Sequence, residues 1–155
     1  MSEAPLLRGL TTISFWAADV EAAKDWYTRL LGIEPYFIRP PAPAPAAYIE
    51  FRIGDYQHEL GIIDSSYAPS GVGATQGGAV AYWHVDDLTG TYEKLLAMGA
   101  TEYQPPTDRG EGFVTAAVID PFDNILGIMH NPHYLDVLRA IATHDGPSMR
   151  TEELP

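Results

Sequence analysis

The sequence contains no cysteine among its 155 residues. This absence excludes disulfide bonds, thiolate nucleophiles, iron–sulfur clusters and cysteine zinc sites. A chain of this length buries about two thirds of the surface that its unfolded form exposes, so its core is large enough to fold without cross-links. We therefore expect a single domain, residues 1–155, that is stabilised by a hydrophobic core.

Basic residues are few, since the chain has nine Lys and Arg against 21 Asp and Glu and a formal net charge of −12. A charge of this sign repels phosphate backbones and anionic lipids, so we expect neither a nucleic-acid nor a membrane partner. Long apolar runs are also absent, and the first residues lack the basic start and apolar core of a signal peptide. A cytoplasmic location is therefore expected.

The first part of the chain, residues 8–63, has the pattern strand, helix, strand, strand, strand. Residues 10–16 alternate as a half-buried strand does. Asp19 is a suitable N-cap, the following apolar residues recur at helical spacing, and Gly32 is a suitable residue to end the helix. Three more strands are predicted, at residues 36–38, 48–53 and 58–63.

After a linker at residues 64–78, the same pattern returns over residues 79–131. It predicts a strand at 79–85, a helix that Asp86-Asp87 caps and Gly99 ends, and strands near 101–104, 113–119 and 125–130. Residues 53–63 align with residues 119–129 without a gap, which places Leu-Gly-Ile at 60–62 over Leu-Gly-Ile at 126–128. We infer an internal duplication. Residues 132–155 are expected to form an amphipathic helix, at 133–143, and a polar tail.

Three segments carry a resemblance to a known family: FWAADVEAAKDWYTRLLGIEPY, AYWHVDDLTGTYEKLLAMGATEYQPP and VIDPFDNILGIMHNP. Over residues 7–132 the chain resembles the vicinal oxygen chelate superfamily of glyoxalases, extradiol dioxygenases, fosfomycin-resistance enzymes and bleomycin-resistance proteins. The Asp-Pro-x-x-Asn turn that begins at Asp120 is its most specific part. The resemblance implies an α+β fold, in which two tandem βαβββ modules form curved mixed sheets around a cavity, and it implies a homodimer.

Enzymes of this family place metal ligands on the first and last strands of each module. The corresponding residues here are Thr12, Gly61, Val80 and Gly127. Glycine and valine have no donor atom in the side chain, and one threonine hydroxyl does not hold a divalent cation against water. The resemblance therefore implies a member without the usual metal, and we expect no cofactor.

A register shifted by two residues is the alternative. Glu59 and His84 are the only strong donors on the same strand faces as Gly61 and Val80, because strand side chains alternate with a period of two. With His58, His130 or His133 added, a two-histidine, one-carboxylate iron site is conceivable. The opposing interpretation is that these histidines only make hydrogen bonds or lie on the surface.

Alternation from the four aligned positions predicts the residues that line a cavity with aromatic walls, a composition typical of small-molecule sites. The two glycines are expected to leave room for an organic ligand. The predicted ligand-binding residues are Thr12, Ser14, Trp16, Glu59, Gly61, Ile63, Val80, Tyr82, His84, Gly127 and Met129. Each has a simpler interpretation: the rings as core, His84 as a satisfied buried imidazole, and Glu59 as a solvated carboxylate.

Two functions follow from this site. The first is a metal-free protein that binds a hydrophobic or aromatic small molecule, as bleomycin-resistance proteins do, with sequestration or resistance as the role this suggests. The alternative is a glyoxalase-, dioxygenase- or isomerase-type enzyme that uses a displaced metal site, or Glu59 and His84 as acid and base. A regulatory or structural module is a third hypothesis.

Overall fold

The computed structural model describes residues 6–70 and 76–143 of the chain. No helix in these two ranges is both long enough and apolar enough to cross a membrane. In chain order the elements are β1 (Thr12–Ala17), α1 (Val20–Leu31), β2 (Phe37–Arg39), β3 (Tyr48–Ile53), β4 (His58–Asp64), a 3₁₀ turn (Ser65–Tyr67), β5 (Tyr82–His84), α2 (Leu88–Ala97), β6 (Thr101–Gly110), β7 (Phe113–Ile119), β8 (Ile125–His130) and α3 (Pro132–Thr143).

The elements form two four-stranded mixed sheets with the same strand order, β1-β4-β3-β2 in the first and β5-β8-β7-β6 in the second. In each sheet the first strand of the module pairs in parallel with the last strand, and the other pairs are antiparallel. The sheets are curved and not closed. The predicted α+β fold of two tandem βαβββ modules and a C-terminal helix is confirmed.

The chain divides into two compact units, which are Met1–Gly77 with Asp120–Asn124, and Gly78–Ile119 with Ile125–Pro155. Each unit contains one of the two sheets. The loop Asp120–Asn124 therefore belongs to the first unit, although it connects two strands of the second sheet. The assignment of residues 1–155 to a single domain stays a prediction.

In the first unit, α1 begins where the sequence predicts. The carboxylate of Asp19 accepts a hydrogen bond from the backbone N–H of Ala22 (2.9 Å), and Gly32 ends the helix in the left-handed conformation at φ 69°. The buried ring of Tyr27 packs against the rings of Phe15 and Phe51. Alternate residues of β1 and β3 therefore face the helix and form the core.

The second unit is built in the same way. The carboxylate of Asp87 accepts from the N–H of Gly90 (3.0 Å) and caps α2. The hydroxyl of Tyr92 donates to Glu102, which pairs with Val118 across the sheet, so α2 covers the face that carries Val118. The buried core side chains on this side are Leu88, Tyr92, Leu95, Ala116, Val118, Leu126 and Ile128.

Two strands differ in length from the sequence predictions. β5 was predicted over residues 79–85 but spans only Tyr82–His84. β6 was expected to end at residue 104 but continues to Gly110. β6 contains Pro105 and Pro106, and proline has no N–H for a neighbouring strand. Because β6 is an edge strand, it accommodates them with shifts in its register against β7.

The gap-free alignment of the two modules is wrong by one residue. Ile53 pairs with His58 around the turn at residues 54–57, whereas Ile119 pairs with Ile125 around Asp120–Asn124. The second turn is therefore one residue longer. Part of the predicted linker, residues 71–75, and the predicted tail, residues 144–155, lie outside the described residues.

The longer turn is held by the two polar residues at its ends. The carboxylate of buried Asp120 accepts hydrogen bonds from the N–H groups of Phe122 and Asn124 (2.9 Å each) and from the hydroxyl of Tyr27 (2.5 Å). The side-chain amide of Asn124 accepts from the N–H of Trp16 (3.0 Å) and donates to the Trp16 carbonyl (2.9 Å). The side-chain amide of Asn124 thus makes the same pair of hydrogen bonds to β1 that the backbone of a neighbouring strand would make.

We predict that Asn124→Ala lowers the free energy of unfolding by about 3 kcal/mol, because it removes several hydrogen bonds and leaves buried polar groups without partners. Urea unfolding of the purified protein measures the change. The control is Asp123→Asn at the exposed neighbouring position, with an expected change below about 0.5 kcal/mol. An equal loss in both variants would contradict the role given to Asn124.

Candidate functional site

The predicted residues of the first module share one side of the first sheet. This side is the open face of the first sheet, meaning the face away from α1. The register places residues of β1 beside residues of β4 on this face, in the pairs Thr12 with Glu59, Ser14 with Gly61, and Trp16 with Ile63. The structure therefore brings these six residues together, and their role in ligand binding stays a prediction.

A pair of carboxylates lies in the middle of this face. Glu50 of β3 is opposite Gly61 of β4 and is only 8% exposed. Its two oxygens accept hydrogen bonds from the hydroxyls of Tyr36 and Tyr48. The Tyr36 hydroxyl also lies 3.0 Å from the carboxylate of Glu59. One phenol therefore bridges the two glutamates.

Glu59 is held in its ionised form by its neighbours. Thr12 Oγ1 donates to Glu59 Oε2 (2.8 Å), and this bond, followed by the one from Tyr36, lowers the pKa of the Glu59 carboxyl. The guanidinium of Arg52, stacked 4.2 Å from the centre of the Tyr36 ring, also lowers this pKa. The face therefore carries negative charge at neutral pH.

The phenols of this face stay protonated. The hydrogen bond to Glu50, together with burial, raises the pKa of Tyr36 to about 12. Burial and the hydrogen bond to Glu50 raise the pKa of Tyr48 well above its usual value. Both tyrosines therefore act as hydrogen-bond donors to the carboxylates over the whole physiological range.

The two glycines do not leave room, and that expectation is wrong. A side chain at Gly61 would meet the ring of Tyr48 at 3.0 Å. At Gly127 it would meet the carbonyl of Ala81 at 2.6 Å and the ring of Tyr82 at 2.8 Å. In each sheet a tyrosine ring lies over the glycine and occupies the place of a ligand side chain.

The second module has a corresponding face. The open face of the second sheet, meaning the side away from α2, carries Tyr82 beside Gly127 and His84 beside Met129. The hydroxyl of Tyr82 donates to Gln104 of β6 (3.1 Å), so the ring extends from one edge of the sheet across Gly127 to the other edge. Val80 precedes β5, and its side chain is near Gly127.

His84 is engaged at both ring nitrogens. The backbone N–H of Asn131 donates to Nδ1 (3.1 Å), which makes Nδ1 the acceptor and places the proton on Nε2, 3.3 Å from Asp86. The ring also stacks on Tyr134 of α3 at 4.7 Å. These contacts match the simpler interpretation, a satisfied imidazole. Glu59 lies in the first unit and His84 in the second, so their action as an acid–base pair stays a prediction.

The residues at the four family positions do not fit a metal. The Thr12 hydroxyl donates to Glu59, and tyrosine rings cover both glycines. Among residues 6–70 and 76–143, no three His, Asp or Glu side chains are grouped so as to hold an ion. Of the proposed extra donors, His58 stacks on Tyr56 and His130 contacts the carbonyl of Val85 (3.2 Å). The predicted absence of a cofactor stays a prediction.

Sequence reasoning missed several polar residues of the two faces. Tyr48, Glu50 and Arg52 alternate along β3, and this period was visible in the predicted strand at 48–53. Arg109 was missed because β6 was expected to end at residue 104, before its prolines, and Gln104 was missed although it lies within the predicted strand. The sequence alone does not show which strands are neighbours in a sheet.

The sequence and the fold were compared with known proteins. The family model of the Glyoxalase/Bleomycin resistance protein/Dioxygenase superfamily matches residues 9–128. No protein of curated function matches the sequence.

Solved structures of low identity share the fold. A superfamily member from Sphaerobacter thermophilus has a TM-score of 0.62 and 19% identity, and the match covers 82% of this chain and 100% of that one. A glyoxalase-related enzyme from Fulvimarina pelagi has a TM-score of 0.61 and 22% identity, over 81% and 90%. TioX from Micromonospora sp. ML1 has a TM-score of 0.59 and 18% identity, over 79% and 98%.

The lowered pKa of Glu59 gives a prediction for stability against pH. Because the pKa in the folded state lies below that in the unfolded state, ionised Glu59 stabilises the fold at neutral pH, and this contribution is lost as the pH falls through the folded-state pKa. The difference in unfolding free energy between the wild type and Glu59→Gln should therefore shrink as the pH falls below the ordinary pKa of a glutamate, about 4.3.

Urea titrations at a series of pH values measure this difference. Thr12→Val removes the hydrogen bond that lowers this pKa most, so the pH dependence should be weaker in that background. A difference that stays constant with pH would contradict the assignment.

Proposed function

The chain belongs to the Glyoxalase/Bleomycin resistance protein/Dioxygenase superfamily, and we propose that it binds a hydrophobic or aromatic small molecule, without a metal, on the open faces of its sheets. The observation that carries the proposal is the pair of tyrosine rings over Gly61 and Gly127. Where the family's enzymes have metal ligands, this chain has aromatic rings whose hydroxyls are held by Glu50 and Gln104.

Rings fixed in this way favour binding of a flat apolar molecule. A ring that is already immobilised loses little entropy when a ligand stacks on it, which preserves affinity. Tyr82 is 37% exposed, so its ring is not part of the core and has surface to offer a ligand. On the first sheet the ring of Phe37 lies 5.9 Å from that of Tyr48 and extends the aromatic surface.

Several finer points of the proposal rest on the sequence alone. A role in sequestering or resisting a toxic compound follows from the likeness to bleomycin-resistance proteins, and thermal-shift screening against aromatic and peptide antibiotics tests it. Homodimer formation and a cytoplasmic location also stay predictions.

We predict that Tyr82→Ala raises the dissociation constant of a screen ligand that binds the open face of the second sheet, and that Trp16→Ala does so for a ligand that binds the open face of the first sheet. Each change should be about fivefold or more, the effect of losing about 1 kcal/mol of aromatic stacking. Isothermal titration calorimetry measures the affinities. The matched control is Tyr103→Ala, because Tyr103 is 38% exposed on β6 and adjacent in sequence to Gln104, and its affinity should equal that of the wild type.

Equal affinity in wild type and Tyr82→Ala would remove Tyr82 from the binding surface. The same preparation, purified without chelator or added metal, should contain no stoichiometric Zn, Ni, Mn or Fe by elemental analysis. A stoichiometric metal would favour the metalloenzyme instead.

A second candidate function is acid–base catalysis, and the carboxylate pair on the first sheet favours it. The Tyr36 hydroxyl bridges Glu50 and Glu59. In this arrangement one carboxylate can accept a proton from a ligand while the phenol donates a hydrogen bond to the other carboxylate. Ligands from the screen, incubated with the protein in D₂O, should then exchange an acidic C–H proton, as observed by NMR. Exchange that is absent, or that is unchanged in Glu59→Gln, would contradict catalysis by this pair.

A further inference from the structure

Arg109 is a cation on the open face of the second sheet. Its Nε donates to the hydroxyl of Thr115 at 3.1 Å. Thr115 is 5% exposed and pairs with Met129, which pairs in turn with His84, so its side chain is on the side away from α2. The guanidinium is therefore directed to the same face as Tyr82 and Gln104, although β6 itself is largely exposed.

This guanidinium lacks an acidic partner within the described parts of the chain. The ion pairs found there join other residues, and the neighbouring Asp108 accepts a hydrogen bond from the N–H of Gly110 (2.7 Å). With Nε fixed by Thr115, the two Nη groups can still bind a carboxylate through paired hydrogen bonds.

The surroundings of Arg109 are apolar and aromatic. Met129 is beside Thr115, and the ring of Tyr82 crosses the next row of the face, over Gly127. Successive rows on one face of a strand are about 7 Å apart. A ligand that reached both features would therefore have a negative group separated from an aromatic body by a short chain.

We propose that Arg109 anchors the carboxylate of an organic anion whose apolar body lies on Tyr82 and Met129. This inference rests on the proposed function, because it names the ligand class for one of the two faces. Thr115 acts as a positioning residue that sets the plane of the guanidinium, and it does not itself contact the ligand.

The test compares two probes of the same shape, 3-phenylpropionate and its neutral amide, 3-phenylpropanamide, by calorimetry at low salt and neutral pH. The wild type should bind the acid more tightly than the amide. Arg109→Gln should weaken binding of the acid at least about tenfold and leave the amide unchanged, because a charge-assisted pair is lost. Thr115→Val, which preserves volume and charge, should weaken binding of the acid by about threefold, the effect of losing one ordinary hydrogen bond.

The matched control is Arg139→Gln, which removes the same charge from the same unit. Arg139 lies on α3, is 72% exposed and pairs with Asp136, so its loss should not alter binding of either probe. A threefold effect of Thr115→Val that vanishes in the Arg109→Gln background would confirm that Thr115 acts through Arg109. Melting temperatures of all variants check that they are folded.

Equal affinity for acid and amide, or no effect of Arg109→Gln, would overturn the carboxylate site. If Tyr82→Ala still weakened both probes, the proposed binding function would stand and only the role of Arg109 would fall. No binding of the acid to the wild type up to about 10 mM would also overturn the carboxylate site. The antibiotic screen then decides the binding function separately.

Discussion

The contact between a tyrosine ring and a glycine is the constraint on which both open faces depend. A Cβ at Gly61 or at Gly127 would approach the ring within 3.0 Å, so any side chain there has to displace it. Displacing the Tyr48 ring would take a hydrogen-bond donor away from the buried Glu50 side chain. Gly127 is therefore required by packing against the Ala81 carbonyl, and at Gly61 a side chain would need a shift of the Tyr48 ring.

Two carboxyl groups of this chain have pKa values shifted in opposite directions by their surroundings. Burial raises the pKa of Asp120, against the opposing effect of the hydrogen bonds that it accepts from Tyr27 and Asn124. For Glu59 the hydrogen bonds exceed the effect of burial, and its pKa falls. Asp120 is thus a structural carboxyl that joins a loop to α1 and β1, whereas Glu59 is a charge presented on a face.

Much of the fold was predictable from local pattern. Apolar segments bounded by turns predicted strands at 48–53 and near 113–119 and 125–130, and the structure has strands with these bounds. Asp19, Asp86-Asp87 and Gly32 marked helix ends, and the caps are Asp19, Asp87 and Gly32. The residues that lie together on each open face could not be predicted, because they depend on which strands are neighbours. Glu50 is a site residue only because β3 pairs with β4, and His84 is satisfied only because Asn131 and Tyr134 are adjacent to it in space. Alternation gives the face of a residue but not its partner.

The one-residue difference between the two turns changes which residue of the neighbouring strand lies opposite each glycine. In the first sheet Glu50 is opposite the glycine, and in the second that position is Ala117. A small side chain there lets the ring of Tyr82 cross from β5 to Gln104, whereas in the first sheet the ring comes from β3 and is held by Glu50. Likewise Tyr48 corresponds to Thr115, whose hydroxyl holds Arg109. The same backbone therefore carries Glu50 and Glu59 on the open face of one module and Arg109 on that of the other.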